Sequence, residues 1–448
     1  MRRDNVLVPG EPRLGWVYFG GGSGAAKAAA MLRDTGSSIE LTLPLDEAAP
    51  DGHPYSRWWS DGIMHMDDPD RTKHSYVPPR VLVFQDSLGE VALVGCRATS
   101  HEGNFAAGHG RVVSNFAVLG GRHFAYEEIN GMRSEAPAMA AWTHLSAMSI
   151  EHETDDQNRV QTVTMALSSP PAISLSRHLN AEMRMTWRTD RPAGGFVASE
   201  AVQVQTLVKS TKTWEEHLKL HGALLELVSI AGWRPFGFAN VEVQLSEDRI
   251  KLSPTKHGEP RWLRVVDHRL PKQSKPVGNV KFLFPYREIG PRGVKRWLKL
   301  RDDYDRAIGA LLSILRSDEP WGIASVVQSG IALEALGYAI DIHKNQGIHL
   351  DRRKQLPFNT ALQVILDDME VRPFTDTDEW IRRANEAYMG AKHPDRGEMP
   401  DSLDLTNVLR ENLYVLRFWI GLQLGVKPAS LLDRLSFDPY RLPFRLVE

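Results

Sequence analysis

The residues best suited to chemistry fall in one stretch, Trp380-Ile-Arg-Arg-Ala-Asn-Glu-Ala-Tyr-Met-Gly-Ala-Lys-His-Pro-Asp395. Its spacing predicts an amphipathic helix that stops at a histidine. Asp376 stands where an N-cap belongs, and Glu379 follows it in a capping-box pattern. Pro394 disfavours helical geometry at the residue before it, which places His393 at or just past the C-terminal end. At about 100° per residue, Arg382, Glu386, Met389 and His393 share a face, with Asn385 on its flank. A helix C-terminus stabilises positive charge, so imidazolium is favoured there. That suits a histidine exchanging protons with a ligand. It equally describes a surface helix with solvated charges and a capping histidine.

The elements around this stretch divide the chain. At 448 residues two or three domains are expected. Hydrophobic content of 42% and charged content of 25% are those of an ordinary soluble globular protein. A net charge of −2 carries no general signal for nucleic acid or membrane, so an RNA site has to be a local basic patch. The single cysteine, Cys96, excludes an intramolecular disulfide and a cysteine-cluster zinc site. The start of the chain lacks the apolar run of a signal peptide, and no uninterrupted apolar stretch of 18 residues is evident. A cytoplasmic protein with no membrane partner and no metal or other cofactor is expected.

Residues 1–208 read as mostly β. Short strands are expected at Ile39–Leu43, Val81–Phe84, Val91–Val94, Val160–Thr164 and Val202–Val208, giving a sandwich or a strongly bent sheet. Gly20–Gly24 with Lys27 lacks the Gly-Lys-Ser/Thr ending of a phosphate loop and reads as a turn. The loop over residues 51–74 holds Tyr55, Trp58 and Trp59 with His53, His65, Asp67, Asp68 and Asp70. Metal ligation, partner recognition and capping of the sheet's core all fit it. A helix is expected over Thr211–Gly232, after which Val241–Leu245 and Lys281–Phe284 return to strand. From about Gly290 the chain turns helical: Gly293–Leu315, a buried apolar helix over Trp321–Ile340, Phe358–Met369 and Asp401–Gly425. Glu334, the carboxylate on the apolar helix, needs a partner there, either a basic residue across the bundle or a site Arg or His. The fold class is therefore α+β: a β-rich, sandwich-like domain over residues 1–288 and an all-α bundle of four or five helices over 289–448, ending in an arm from Arg434.

Several motifs carry a resemblance. Arg383-Ala-Asn385, Tyr388 and Lys392-His393-Pro-Asp-Arg396 resemble the signature of HEPN domains in the version that follows an ApeA-type N-terminal domain. Phe282-Leu-Phe-Pro-Tyr286, Arg296-Trp-Leu298, Ile331-Ala-Leu-Glu-Ala-Leu336, Asn130-Gly-Met-Arg-Ser134 and Trp142 are similar to that family as well. The resemblance implies a helical, often dimeric bundle, metal-independent RNase activity and a link to phage defence. The usual HEPN motif sets four to six residues between its arginine and its histidine. Here nine separate Arg383 from His393, ten separate Arg382 from it, and Ala387 stands where the short spacing would allow an arginine.

RNA cleavage without a metal needs a base for the 2′-OH, a cation for the phosphorane and an acid for the 5′ oxygen. On this reading His393 is base or acid. Arg383 or Arg382 holds the phosphate through its planar fork. Asn385 hydrogen-bonds the phosphate or orients the histidine, and Lys392, Arg396 and Tyr388 complete the substrate-binding surface. The resemblance places the site at a two-fold interface of a homodimer, with products ending in 2′,3′-cyclic phosphate and 5′-hydroxyl. Three functions stay open: an endoribonuclease of a defence or toxin system whose β-rich domain senses a phage-derived or protein trigger; an inactive HEPN module binding RNA or protein; and a ligand-binding sensor that the bundle only dimerises. The RNA, whether tRNA or mRNA, is not specified by the sequence.

Overall fold

Alternating apolar residues over the N-terminal half build strands that pair antiparallel throughout. The structure, a computed structural model, describes residues 4–20, 26–45, 55–103, 107–253, 255–392 and 400–436. In chain order the strands and helices are β1 (Pro12–Phe19), β2 (Ala26–Asp34), β3 (Ile39–Leu45), β4 (Val81–Gln85), β5 (Glu90–Val94), β6 (Arg97–Gly103), β7 (Gly108–Ser114), β8 (Phe116–Leu119), β9 (Glu128–Glu135), α1 (Pro137–Thr143), β10 (Met148–Thr154), β11 (Val160–Leu167), β12 (Ile173–Ser176), β13 (Ala181–Asp190), β14 (Val197–Thr213), α2 (Trp214–Gly232), β15 (Asn240–Lys251) and β16 (His257–Asp267). Seven helices follow: α3 (Tyr286–Asp303), α4 (Asp305–Leu315), α5 (Ile323–Asn345), α6 (Phe358–Asp367), α7 (Thr377–Lys392), α8 (Ser402–Leu424) and α9 (Pro428–Ser436).

Fourteen strands form one continuous sheet in the order β12-β13-β14-β9-β15-β16-β8-β5-β4-β1-β2-β3-β7-β6, and β10 pairs only with β11. The joint is β16: Arg264 and the residues before it pair with β15, and Val265–Asp267 pair with β8. The strands expected between residues 39 and 245 lie within observed ones, but Lys281–Phe284, expected as a strand, forms none: Phe282, Leu283 and Phe284 are buried in irregular chain ahead of the first helix of the bundle. One half of the sheet closes over Phe19, Leu41, Phe84 and Leu93. The aromatic loop caps this core: Tyr55 and Trp58 are buried and meet Phe19 edge-on at 5.9 and 5.4 Å. Its acids are engaged locally, with Asp67 and Asp68 paired to Arg57 and Asp68 accepting from the Tyr76 hydroxyl. Of the three readings of this loop, core capping is what these contacts support. His53 and the Gly21–Gly24 part of the glycine turn lie outside the described residues.

α2 starts at Trp214, three residues later than expected, because Thr211–Thr213 finish β14; a reciprocal capping box between Thr213 and Glu216 fixes its first turn. It lies on β9 and β14 and carries its core onward into the helices. Trp297 donates to the Ala223 carbonyl at 2.6 Å, and Arg301 meets the Glu226 carboxylate at 2.8 Å. The Phe282–Tyr286 motif is the seam: Leu283 N–H donates to Ala231 at 2.8 Å, and the Trp142 indole donates to Phe284 at 2.9 Å. Sheet and helices therefore share one hydrophobic core.

The helical half departs from expectation in three places. The helix expected over Gly293–Leu315 is two helices, broken at Tyr304 so that its ring can pack on Trp419 and His343 at 4.9 and 5.6 Å. Its first turns begin earlier, at Tyr286, and kink at Gly290 (φ +53°) ahead of Pro291. The apolar helix α5 is not buried all round, because Ile331, Tyr338 and Ile342 face out. It is the one described helix long and apolar enough to cross a membrane, with half of that apolar window buried against its neighbours. Among the described residues seven helices stand where four or five were expected, and Arg434, expected in a terminal arm, is on α9, where it donates to the Leu283 carbonyl at 2.8 Å and pairs with Glu288.

Candidate functional site

α7 carries the residues singled out from the sequence. Asp376 Oδ1 accepts the Glu379 N–H at 3.0 Å, the expected start. One face of α7 is anchored in the bundle. Trp380, fully buried, donates to Asn412 Oδ1 at 3.0 Å, and Asn412 in turn donates to Ser329 on α5 at 2.9 Å. Arg383 reaches across to α8 and donates to Glu411 at 2.8 Å; that carboxylate is buried, which makes this a strong, directional pair. Arg382 points to solvent and is bracketed by Glu379 and Glu386, both at 2.7 Å, which together hold its charge firmly on. The two neighbouring arginines are thus separated, one toward the core and one outside. Asn385 is half-buried on the same helix.

The C-terminal turns of α7 assemble a second constellation. The buried Tyr388 hydroxyl donates to Glu334 Oε2 on α5 at 2.8 Å. Burial first, and then the Glu334 hydrogen bond and charge, push this phenol's pKa well above its usual value, so it stays protonated. Lys392 Nζ donates to the same oxygen at 3.1 Å and stands 4.8 Å over the ring. Phe358 packs on the ring at 4.6 Å. The ring sits against Gly330, where any Cβ would strike it. Glu334 also faces a groove of about 1020 Å³ between α4, α5 and residues 354–356. The expected partner of Glu334 was a basic residue or a site Arg or His; the partner is a tyrosine that carries the lysine. Only the pairing of Tyr388 with Lys392, four residues apart, was visible in the sequence. Glu411 and Glu334 belong to distant helices and left no local signal. His393 and Arg396 lie outside the described residues.

A second buried polar network lies in the N-terminal half. Asn130 Oδ1 accepts from Ser246 N–H at 2.8 Å, and its amide donates to Lys209 at 2.9 Å, tying three strands together. Arg133 donates to Gln205 at 2.6 Å and stacks on Trp262 at 3.8 Å. Ser134 Oγ lies 2.6 Å from His221 Nδ1 on α2. Thr206 Oγ1 lies 3.1 Å from His221 Nε2 and 2.7 Å from His217 Nδ1. Burial, with the neighbouring His217 second, pulls the His221 pKa down to about 3, and burial also lowers that of His217. Both rings are neutral at pH 7. The Asn130–Ser134 motif is thereby accounted for: it locks β9 to its neighbours and to α2. Chemistry is not what this buried cluster offers, since His221 faces only a cavity of about 10 Å³, too small for a substrate.

The chain matches the model of the ApeA N-terminal domain 1 family over residues 12–300, more than half of its length, and belongs to that family. Membership ties it to anti-phage defence. The matched region runs past the sheet into α3 as far as Leu300, in keeping with the core that α2 and α3 share. No curated protein and no solved structure matches the chain.

Proposed function

We propose that the helical half is a HEPN-like bundle that cleaves RNA without a metal during anti-phage defence, in the cytoplasm, with the sheet domain as its sensor or regulator. The observation that carries this reading is the anchoring of α7. Trp380, Arg383 and Tyr388 each bind a different partner on α5 or α8, so α7 is anchored in the bundle along the turns that lead up to Lys392, the residue before His393 in the chain. Lys392 adds positive charge beside it, and its hold on Tyr388 limits its motion. In this scheme His393 moves the proton, Lys392 and Arg396 contact phosphate, and the bundle acts as a homodimer. The shared core makes the sheet domain a direct mechanical neighbour of the bundle, suited to regulating it.

A second reading, an inactive RNA- or protein-binding module, draws on one observation: Arg382 and Arg383 are both occupied by carboxylates. An arginine must leave its carboxylate before it can grip phosphate bidentately. The deciding experiment expresses wild type beside His393→Ala, with and without phage, and examines total RNA for cuts and for 2′,3′-cyclic ends. Cuts in wild type alone, insensitive to chelator, are expected. RNA left whole in both under phage challenge refutes the nuclease and leaves the binding module.

A further inference from the structure

β10 and β11 stand apart from the large sheet, and among the described residues each pairs only with the other. Their register puts Ile150, His152 and Thr154 of β10 on one face with Met165, Val163 and Val160 of β11. Glu151 and Glu153 belong to the other face, with Thr164 and Thr162. The hairpin is thus amphipathic, and its apolar face is bare: Ile150, Val160, Val163 and Met165 are 49, 55, 55 and 43% exposed. A two-stranded hairpin is only marginally stable in water without cover. A cluster of large apolar side chains on a surface marks a contact.

The free edge of β10 says what covers it. Among the described residues, the backbone groups of residues 149–154 that point away from β11 have no hydrogen-bond partner. No described cation lies within ion-pair distance of Glu151 or Glu153. The hairpin carries four carboxylates, Glu151, Glu153, Asp155 and Asp156, against one guanidinium, Arg159, which is already paired to Asp155 at 2.8 Å. That charge repels nucleic acid and anionic lipid. A second copy adding antiparallel to the same edge sets Glu151 and Glu153 beside their own equivalents, and like charges opposite one another destabilise a strand pair. A strand from a different protein, its apolar residues alternating with Lys or Arg, satisfies both faces. Its apolar side chains extend the Ile150 face, and its cations meet Glu151 and Glu153.

We propose that β10 takes up an extended segment of another protein, alternating apolar with basic residues, as a third strand on its free edge. This deepens the sensor part of the reading above and rests on it, but it is decided by binding rather than by cleavage. The attachment of the hairpin suits that role. At its entering foot Glu200 Oε2 accepts from Ser146 Oγ and from the Ala147 N–H, both at 2.7 Å. At its leaving foot the Trp187 indole donates to Ser169 Oγ at 3.2 Å. Trp187 and Glu200 are themselves paired across β13 and β14. β14 runs directly into α2, whose Ala223 carbonyl holds Trp297 of the bundle. A segment seated on the hairpin therefore bears on the strand that continues into the helix shared with the bundle.

The test is fluorescence anisotropy of a labelled peptide of about ten residues, alternating valine with lysine, titrated with the full-length chain. Wild type is expected to bind it about tenfold more tightly than the same peptide with glutamate in place of lysine. Glu151→Lys with Glu153→Lys is expected to reverse that preference, and Ile150→Asp with Val163→Asp to weaken binding of the lysine peptide about tenfold. All four positions are exposed, so these variants are expected to melt as wild type does. N-methylation of every second peptide nitrogen removes the donors of the ladder and is expected to abolish binding. Binding that survives N-methylation, an unaltered preference in the charge-reversed variant, or no binding by wild type overturns the proposal. Sedimentation of wild type as a dimer that Ile150→Asp with Val163→Asp makes monomeric overturns it in favour of a second copy. Co-flotation with anionic phospholipid vesicles, lost in that same variant, overturns it in favour of a membrane. RNA cleavage is measured separately: cuts without peptide binding refute this proposal alone, and peptide binding without cuts refutes the nuclease alone.

Discussion

Acidification should loosen the N-terminal half through His221, and the size of the effect follows from its surroundings. The ring is fully buried between Ser134 and Thr206, and its pKa is held down to about 3 by burial. In the unfolded chain the same imidazole titrates near ~6.5. Between those values the unfolded chain binds the extra proton, so stability rises with pH there. The contribution is therefore fully present above the unfolded pKa and is lost as pH falls through ~6.5 toward 3. From pH 7.5 to pH 5.5 the loss from this one group is about 1.4 kcal/mol. His217, shifted in the same direction, adds to it. Urea unfolding of the full chain at both pH values, followed by far-UV circular dichroism, measures this directly. His221→Asn keeps a polar group against Ser134 but cannot take up the proton, so its loss should be smaller by about 1.4 kcal/mol. A variant as pH-sensitive as wild type would refute the reasoning, because the buried neutral ring would then not be the source.

Further expectations test α7 and its supports. Glu411→Ala leaves Arg383 without its buried carboxylate and should cost about 3 kcal/mol in denaturant unfolding, whereas Arg382→Ala, at an exposed ion pair, should leave the melting temperature unchanged. Gly330→Ala drives a methyl into the Tyr388 ring and should destabilise by about 1–3 kcal/mol, a cost that Tyr388→Ala in the same background should partly cancel in a double-mutant cycle. Tyr388→Phe removes the hydrogen bond to Glu334 while keeping the ring, and about 2 kcal/mol is expected from the same unfolding assay. If the bundle cleaves RNA, Lys392→Ala should slow cleavage more than it changes stability, since its ammonium contacts only the Tyr388 phenol among the described groups.

Local patterns were enough for several elements. The helix that became α7 has its start signalled by Asp376, and the end of α8 is signalled by Gly425, which takes φ +92°. Each rests on interactions within a few residues, which a linear chain displays. The position of β3 was legible for the same reason, since its alternation follows from one buried face. The break at Tyr304 was not legible, because it depends on Trp419, more than a hundred residues away. The partners of the candidate residues were equally hidden. Arg382 and Arg383 are adjacent in sequence and look interchangeable, but Glu411 on α8 draws one into the bundle while Glu379 and Glu386 keep the other in solvent. Composition pointed to α5 as a buried helix, and the described residues leave Ile331, Tyr338 and Ile342 on it exposed. Backbone periodicity and caps were thus determined by the sequence on its own. Which charged side chain pairs with which, and which apolar face stays open, was decided only when helices distant in the chain were brought within hydrogen-bonding and packing range.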